Sequence, residues 1–290
     1  MNINHTDLVL EIGSGNNPHS RSDILCDRYI RTSHERAGEF PIRIDRPMVI
    51  ADAMHLPFAD HTFDYVIASH IFEHMDDPAG LAREIARVGK AGFIEVPSAI
   101  SERVFGWDFH HWYCEIISGT LTFTRKTEGK RFDGFFHTLI ARNIWFRRFF
   151  EQHKALWYTR LEWQGTIPMR IAGKPMRLRE KANLDVAAWD ILGRAKKDVP
   201  ADWAFAIRFF LRRMARKLVN TARQLLWQVA VMTMAKQIVS SILRRCVCPA
   251  CRGLLEIKEK SAHCPHCRAE YPVDGVLPVL LLPHEQSGGY

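Results

Sequence analysis

The first hundred residues alternate short apolar runs with polar, glycine-containing breaks. Asp7–Ile12 (DLVLEI), Ile24–Asp27, Met48–Ala51, Phe63–Ser69 (FDYVIAS) and Gly92–Val96 each read as a strand, because each is a short apolar run bounded by turn formers. Ala79–Val88 carries Leu81, Ile85 and Val88 on one helical face. Strands alternating with helices imply parallel strands joined by crossovers, and hence an α/β sheet. After Pro97 the pattern loosens. Ser101–Ile117 is rich in aromatics and histidine, Thr120–Thr124 and Ala155–Trp163 read as strands, and Phe136–Phe150 reads as one helix. Residues 165–200 read as a connector, with mixed charge, Gly173, Pro168, Pro175 and Pro200. Residues 201–245 predict one long helix, in which Leu211, Leu218, Leu225, Met232 and Val239 recur every seven positions.

Composition sharpens the picture at two places. The 290 residues are 47% apolar and 25% charged, which is globular and excludes disordered or collagen-like chains. The net charge of +8 is concentrated: residues 201–245 hold nine basic groups against one acidic. Such a helix has three readings: a seat on an anionic membrane surface, a phosphate contact with nucleic acid, or an interface helix with a solvated basic side. Trp203, Phe209, Phe210 and Trp227 suit a membrane interface. No base-stacking motif is visible, so a membrane is favoured over nucleic acid. The chain shows no basic segment followed by an apolar run at its start. It also shows no uninterrupted apolar run of about 18 residues. The expected location is the cytoplasm, with the basic helix able to hold the protein at the inner membrane surface.

The candidate chemistry begins at Val9–Gly15, a strand running into Gly13-Ser14-Gly15. Glycines there let a ligand approach the backbone closely, although many plain turns carry the same pair. Asp27 ends the next strand, where a carboxylate can accept from a ribose diol. Ligands of open α/β sheets bind at these carboxyl ends.

Residues Val9–Pro97 resemble class I S-adenosylmethionine-dependent methyltransferases of the small-molecule type. The resemblance rests on E-I-G-S-G (11–15), A-D-A-M-H-L-P-F (51–58), F-D-Y-V-I-A-S (63–69), F-E-H (72–74) and G-F-I-E-V-P (92–97). It implies a Rossmann-like, seven-stranded, mostly parallel sheet. It also implies S-adenosylmethionine as cofactor, with Glu11, Gly13 and Gly15 at its methionine end and Asp27 on the ribose. Asp52 and Ala53 would meet the adenine, with Ser69 and His74 near the sulfonium. Asp52 also suits a helix cap.

Methyl transfer asks the protein to align a nucleophile, exclude water and sometimes remove a proton. The candidates for that last task are His110, His111 and Tyr113, with Asp108 and Glu95 nearby. The plainer reading is that these aromatics and histidines pack a lid. Asp76 and Asp77 read as a helix start.

Five of the seven cysteines lie after residue 245. Cys248, Cys251, Cys264 and Cys267 form C-x2-C-x12-C-x2-C, the ligand set of a closed, structural Zn2+ site. Cys246, His263 and His266 are spare ligand types. The segment Cys248–Leu281 also resembles the small zinc-ribbon partner family that activates methyltransferases of the translation machinery. One chain would then hold both parts and need no separate activator. The sequence therefore divides into a methyltransferase domain (1–164), a connector with the basic helix (165–245) and a zinc ribbon (246–290). The methyl acceptor is open: a hydroxyl or amine of a small or lipid- or glycan-linked molecule, or alternatively RNA or a translation protein. A non-catalytic binding module is the third reading.

Overall fold

The computed structural model describes residues 1–30, 42–127, 132, 134–175, 178–197, 203–258, 260–282 and 284–285. Four buried runs form the first parallel strands: β1 (Val9–Ile12), β2 (Ile24–Asp27), β3 (Met48–Ile50) and β4 (Phe63–Ser69). Helix α1 (Pro78–Val88) starts at Asp77, whose side chain accepts from the Gly80 amide at 2.8 Å. It buries Leu81, Ile85 and Val88 and leads into β5 (Gly89–Pro97). Among the described residues, only this crossover between parallel strands carries an α-helix; the one from β3 to β4 holds a single 3-10 turn, Ala53–His55. The chain passes from β1 to β2 through turns alone, because Gly13, Gly15 and Pro18 interrupt the segment where a helix is expected.

Beyond β5, α2 (Ala99–Phe105) is capped by Ser98, and β6 (Trp112–Ile117) and β7 (Thr120–Arg125) form a hairpin. The expected helix 136–150 is two, α3 (Phe135–Arg142) and α4 (Ile144–Gln152). Asn143 breaks it by leaving helical geometry and capping α4 through the Phe146 amide at 2.9 Å. The short α5 (Lys154–Trp157) precedes β8 (Tyr158–Gln164).

The main sheet has the order β3-β2-β1-β4-β5-β8, with only β8 antiparallel. It holds six strands among the described residues rather than seven. β6 and β7 do not join it, because they pair with β9 (Met169–Ile171) in a separate three-stranded sheet.

The segment 165–200 is more structured than its prolines suggest. It supplies β9 and the 20-residue α6 (Leu178–Lys197). Ala188 and Ile191 of α6 join Val104, Phe105, Phe136, Phe146, Phe149 and Trp157 in a second apolar cluster. Arg103 on α2 grips Asp185 on α6 through two bonds of 2.7 and 3.0 Å.

Helix α7 (Trp203–Leu243) is continuous except for a kink at Met234. Its heptad stripe faces outward: Leu211, Leu218, Leu225 and Met232 are 58–83% exposed. These four positions therefore add nothing to the core, whereas Val239, the last of the stripe, packs partly buried against the main cluster. The stretch Ile207–Leu243 is long and apolar enough to cross a membrane by length and composition, although charges interrupt it. The basic groups lie mainly in its first half.

The C-terminal strands β10 (Glu256–Ile257), β11 (Ser261–His263), β12 (Glu270–Asp274) and β13 (Leu277–Pro278) form one antiparallel sheet. Its apolar side, with Ala262, Tyr271 and Leu280, merges into the cluster that holds Leu10, Phe58 and Val66. The Val247 amide donates to Pro57 O at 2.9 Å, and the Leu280 amide to Ile50 O at 2.7 Å.

Candidate functional site

The carboxyl ends of β1, β4 and β5 open onto a cleft of about 1100 Å³. Two turn glycines form one wall. Gly13 and Gly15 have φ of +67° and +55°, which glycine adopts without the cost that a side chain incurs. A Cβ at Gly13 would meet Ile71 at 2.8 Å, whereas one at Gly15 would meet nothing within 4 Å. Between them, the buried Ser14 hydroxyl has no hydrogen-bond partner among the described residues.

Glu11 lines the same cleft but is 5% exposed. Its carboxylate accepts from the His19 amide at 2.8 Å and from the Ser22 hydroxyl. Burial raises its pKa, against the pull of these two bonds and of Arg46. Glu11 thus holds the shape of the turn. Arg46 continues the brace by donating to the carbonyls of His19 and Ser22 at 2.8 and 2.5 Å. Asp45 anchors Arg46 at 2.7 Å and also pairs with Arg43.

The opposite wall follows β4. Ser69, His70, Glu73 and His74 all line the cleft. His70 takes a left-handed φ of 57° and stands 3.2 Å from Glu73 and 3.6 Å from Glu95. Burial lowers its basicity, but the hydrogen bonds to these two carboxylates win and raise its pKa to about 10. Glu73 is fully buried; desolvation opposes its charge, yet His70, His74 and His110 keep its pKa below the usual value. Its Oε2 has no hydrogen-bond partner among the described residues. His110 is 7% exposed, and its Nδ1 lies 2.7 Å from Oε2 of buried Glu102. Lys126 binds the other oxygen of Glu102.

The cleft therefore gathers Glu11, Gly13, Gly15, Ser69, His74 and His110. The other sequence candidates sit elsewhere. Asp27 ends β2, with Oδ1 accepting from the Tyr29 amide at 3.2 Å; the residues that follow, 31–41, lie outside the described ones. Asp52 lies two residues beyond β3 and caps the turn Ala53–His55 through the Met54 amide at 2.7 Å. It also pairs with Arg28, which reaches Glu285 at 3.0 Å. His111 stands 3.2 Å from Asp76, and Tyr113 is buried on β6; neither lines the cleft. Sequence reasoning missed Glu73 and Glu102 as polar groups of the site. The F-E-H triplet marked the first, and nothing local marked the second.

In the C-terminal segment the thiols of Cys248, Cys251, Cys264 and Cys267 lie within 4.8 Å of one another. Both knuckles repeat one turn. Arg252 and Arg268, at φ of 61° and 63°, follow the second cysteine of each pair, and their backbone amides donate to Cys248 O and Cys264 O at 2.7 and 2.8 Å. Four soft donors so gathered fit Zn2+. Cys246 is not part of the group; its Sγ lies 3.4 Å from Ile242 O inside the core.

Residues 25–94 match the family model described as a methyltransferase domain. A demethylmenaquinone methyltransferase of Thermobifida fusca (strain YX) is 33% identical over 118 residues, covering 35% of this chain and 50% of that protein. Another, from Corynebacterium urealyticum, is 48% identical over 48 residues, covering 17% and 21%. Among solved structures, the PH0226 protein from Pyrococcus horikoshii OT3 is 21% identical, with a TM-score of 0.26, over 33% of this chain and 51% of that one. The chain thus spans half or less of the length of these two curated relatives.

Proposed function

We propose that the methyltransferase domain of this chain transfers the methyl group of S-adenosylmethionine to a hydroxyl or amine of a small or lipid- or glycan-linked acceptor. One observation carries the reading. A bare, positive-φ glycine turn, with the orphaned Ser14 hydroxyl, opens onto the cleft at the strand ends, a few residues before the segment 25–94 that matches the methyltransferase domain. These groups fit the methionine end of the cofactor, with Glu11 fixing the turn and Ser69 and His74 across from it. Asp27, at the end of β2, and Asp52, just past β3, are the groups assigned to ribose and adenine. When bound, the cofactor supplies an electrophilic methyl on a good leaving group. The protein's residues align the acceptor and exclude water. The cluster of Glu73, His74 and His110 is where the acceptor's proton is handled.

The relatives' name, demethylmenaquinone methyltransferase, supports a small-molecule acceptor. Helix α7 supports a membrane-borne one. Arg216, Val219 and Arg223 line the cleft mouth, and the apolar heptad stripe faces out beside basic groups. Such a helix suits an anionic membrane surface. The four cysteines hold a structural Zn2+ in the built-in ribbon, so no separate activator is required.

Incubating the full, zinc-loaded chain with methyl-labelled cofactor and fractionated cell extract tests the acceptor. Label in the lipid or small-molecule fraction is expected. Label in RNA or a translation protein would establish the alternative acceptor. Cofactor binding with no label anywhere would leave a binding module.

A further inference from the structure

Three side chains in the cleft converge on one point. Glu73, His74 and His110 each bring one ligand atom to within 4.8 Å of the others. We propose that they bind a divalent first-row transition ion of the Zn2+, Mn2+ or Fe2+ kind. Two imidazoles and one carboxylate suit these ions, whereas Mg2+ and Ca2+ prefer oxygen donors alone.

The supporting contacts are those of a prepared site. His110 commits Nδ1 to Glu102 at 2.7 Å, which leaves Nε2 for an ion. A carboxylate behind a ligating histidine fixes its tautomer and orientation, and Lys126 holds that carboxylate in turn. Glu73 commits Oε1 to His70 at 3.2 Å. Its Oε2 is buried and has no hydrogen-bond partner among the described residues, a costly state for an ionised oxygen unless a cation meets it. His74 is oriented by Phe109, stacked at 5.5 Å, and stands edge-on to His110 at 4.7 Å between ring centroids. All three ligands line the cleft. Three protein ligands with the remaining positions open is the pattern of a reactive rather than a structural ion. The site is distinct from the four cysteines. Resting on the proposed transfer, the ion would hold an acceptor oxygen and favour its deprotonated form; the binding of the ion does not depend on that reading.

The test is a Co2+ titration of the full chain with zinc already in the cysteine site, followed by visible absorption and calorimetry. We expect one further equivalent per chain, with weak bands and no thiolate charge transfer. His74→Gln and His110→Gln, with melting temperatures near that of the wild type, should each weaken Co2+ binding at least tenfold. No saturable second equivalent in the wild type would overturn the site, whatever the variants do. So would a thiolate spectrum, which would mean exchange at the cysteines, or unchanged affinity in both folded variants. S-adenosylmethionine titrated into the same sample keeps the two readings apart, because failure of cofactor binding would sink the transfer reaction and leave the ion site standing.

Discussion

The carbonyl of Ile50, at the end of edge strand β3, accepts a 2.7 Å hydrogen bond from the amide of Leu280 in the C-terminal segment. Ile50 also pairs in parallel with Val279. The C-terminal segment that carries the four cysteines therefore extends the edge of the main sheet, and one apolar cluster runs through both. Metal binding to such a module contributes directly to folding. Cys264→Ser, or removal of zinc by a chelator, should lower the melting temperature of the whole chain by at least about 5 °C, at roughly 2–4 °C per kcal/mol. A sheet that melts unchanged after the metal has gone would refute this coupling, as scanning calorimetry can show.

Gly13→Ala places a Cβ against Ile71 at a left-handed φ. The expected cost is about 1–3 kcal/mol of stability, with at least a tenfold loss of cofactor affinity because the turn must shift. Denaturant unfolding and calorimetry measure the two effects. Wild-type behaviour in both would show that the turn tolerates a side chain.

Asp45 makes acid stability depend on the brace under that turn. Burial alone would raise its pKa, but the guanidiniums of Arg46 and Arg43 outweigh burial and lower it. The folded value therefore lies below the unfolded one of about 3.9. The stabilisation is present above that unfolded value and is lost as the pH falls through the folded one. Asp45→Asn should be less stable near neutral pH, and its deficit should shrink below about pH 4. Equal deficits at pH 7 and pH 3, read from urea melts, would contradict the assignment.

Arg103 and Asp185 join α2 to α6 beside the cleft, with the arginine buried. Removing one partner of a fully buried ion pair costs about 3–5 kcal/mol. Asp185→Ala should cost less than that, because Asp185 is partly exposed and Arg103 keeps other contacts, and replacing both residues with apolar ones should recover part of the loss. A double variant no better than the single would point to packing rather than charge.

Arg212 and Arg213 lie on the exposed basic stretch of α7. Each basic group near an anionic bilayer contributes about 1 kcal/mol. The double alanine variant should bind phosphatidylserine-containing vesicles about thirtyfold more weakly. Neutral vesicles should show little difference. Equal binding of wild type and variant in sedimentation assays would remove the membrane reading.

Local pattern carried much of this account, and its gaps share a cause. The strands ending in Asp27 and Ser69, the caps at Asp52 and Asp77, and the paired cysteine knuckles all rest on neighbouring residues. The Glu102–His110 bond, the Arg103–Asp185 clamp and the pairing of β7 with β9 join residues that no periodicity relates. α6 was obscured because its polar face and flanking prolines hide Ala188 and Ile191, whose burial depends on partners near residues 104 and 136. The exposed stripe on α7 shows the converse: a heptad in the sequence identifies a helix without fixing which side meets the protein.

The central claim is that the glycine turn and the strand ends hold S-adenosylmethionine. Isothermal titration of the zinc-loaded full chain measures this directly. Saturable binding of one cofactor per chain is expected, weakened at least tenfold by Gly13→Ala. Absence of binding by folded wild-type protein would contradict it.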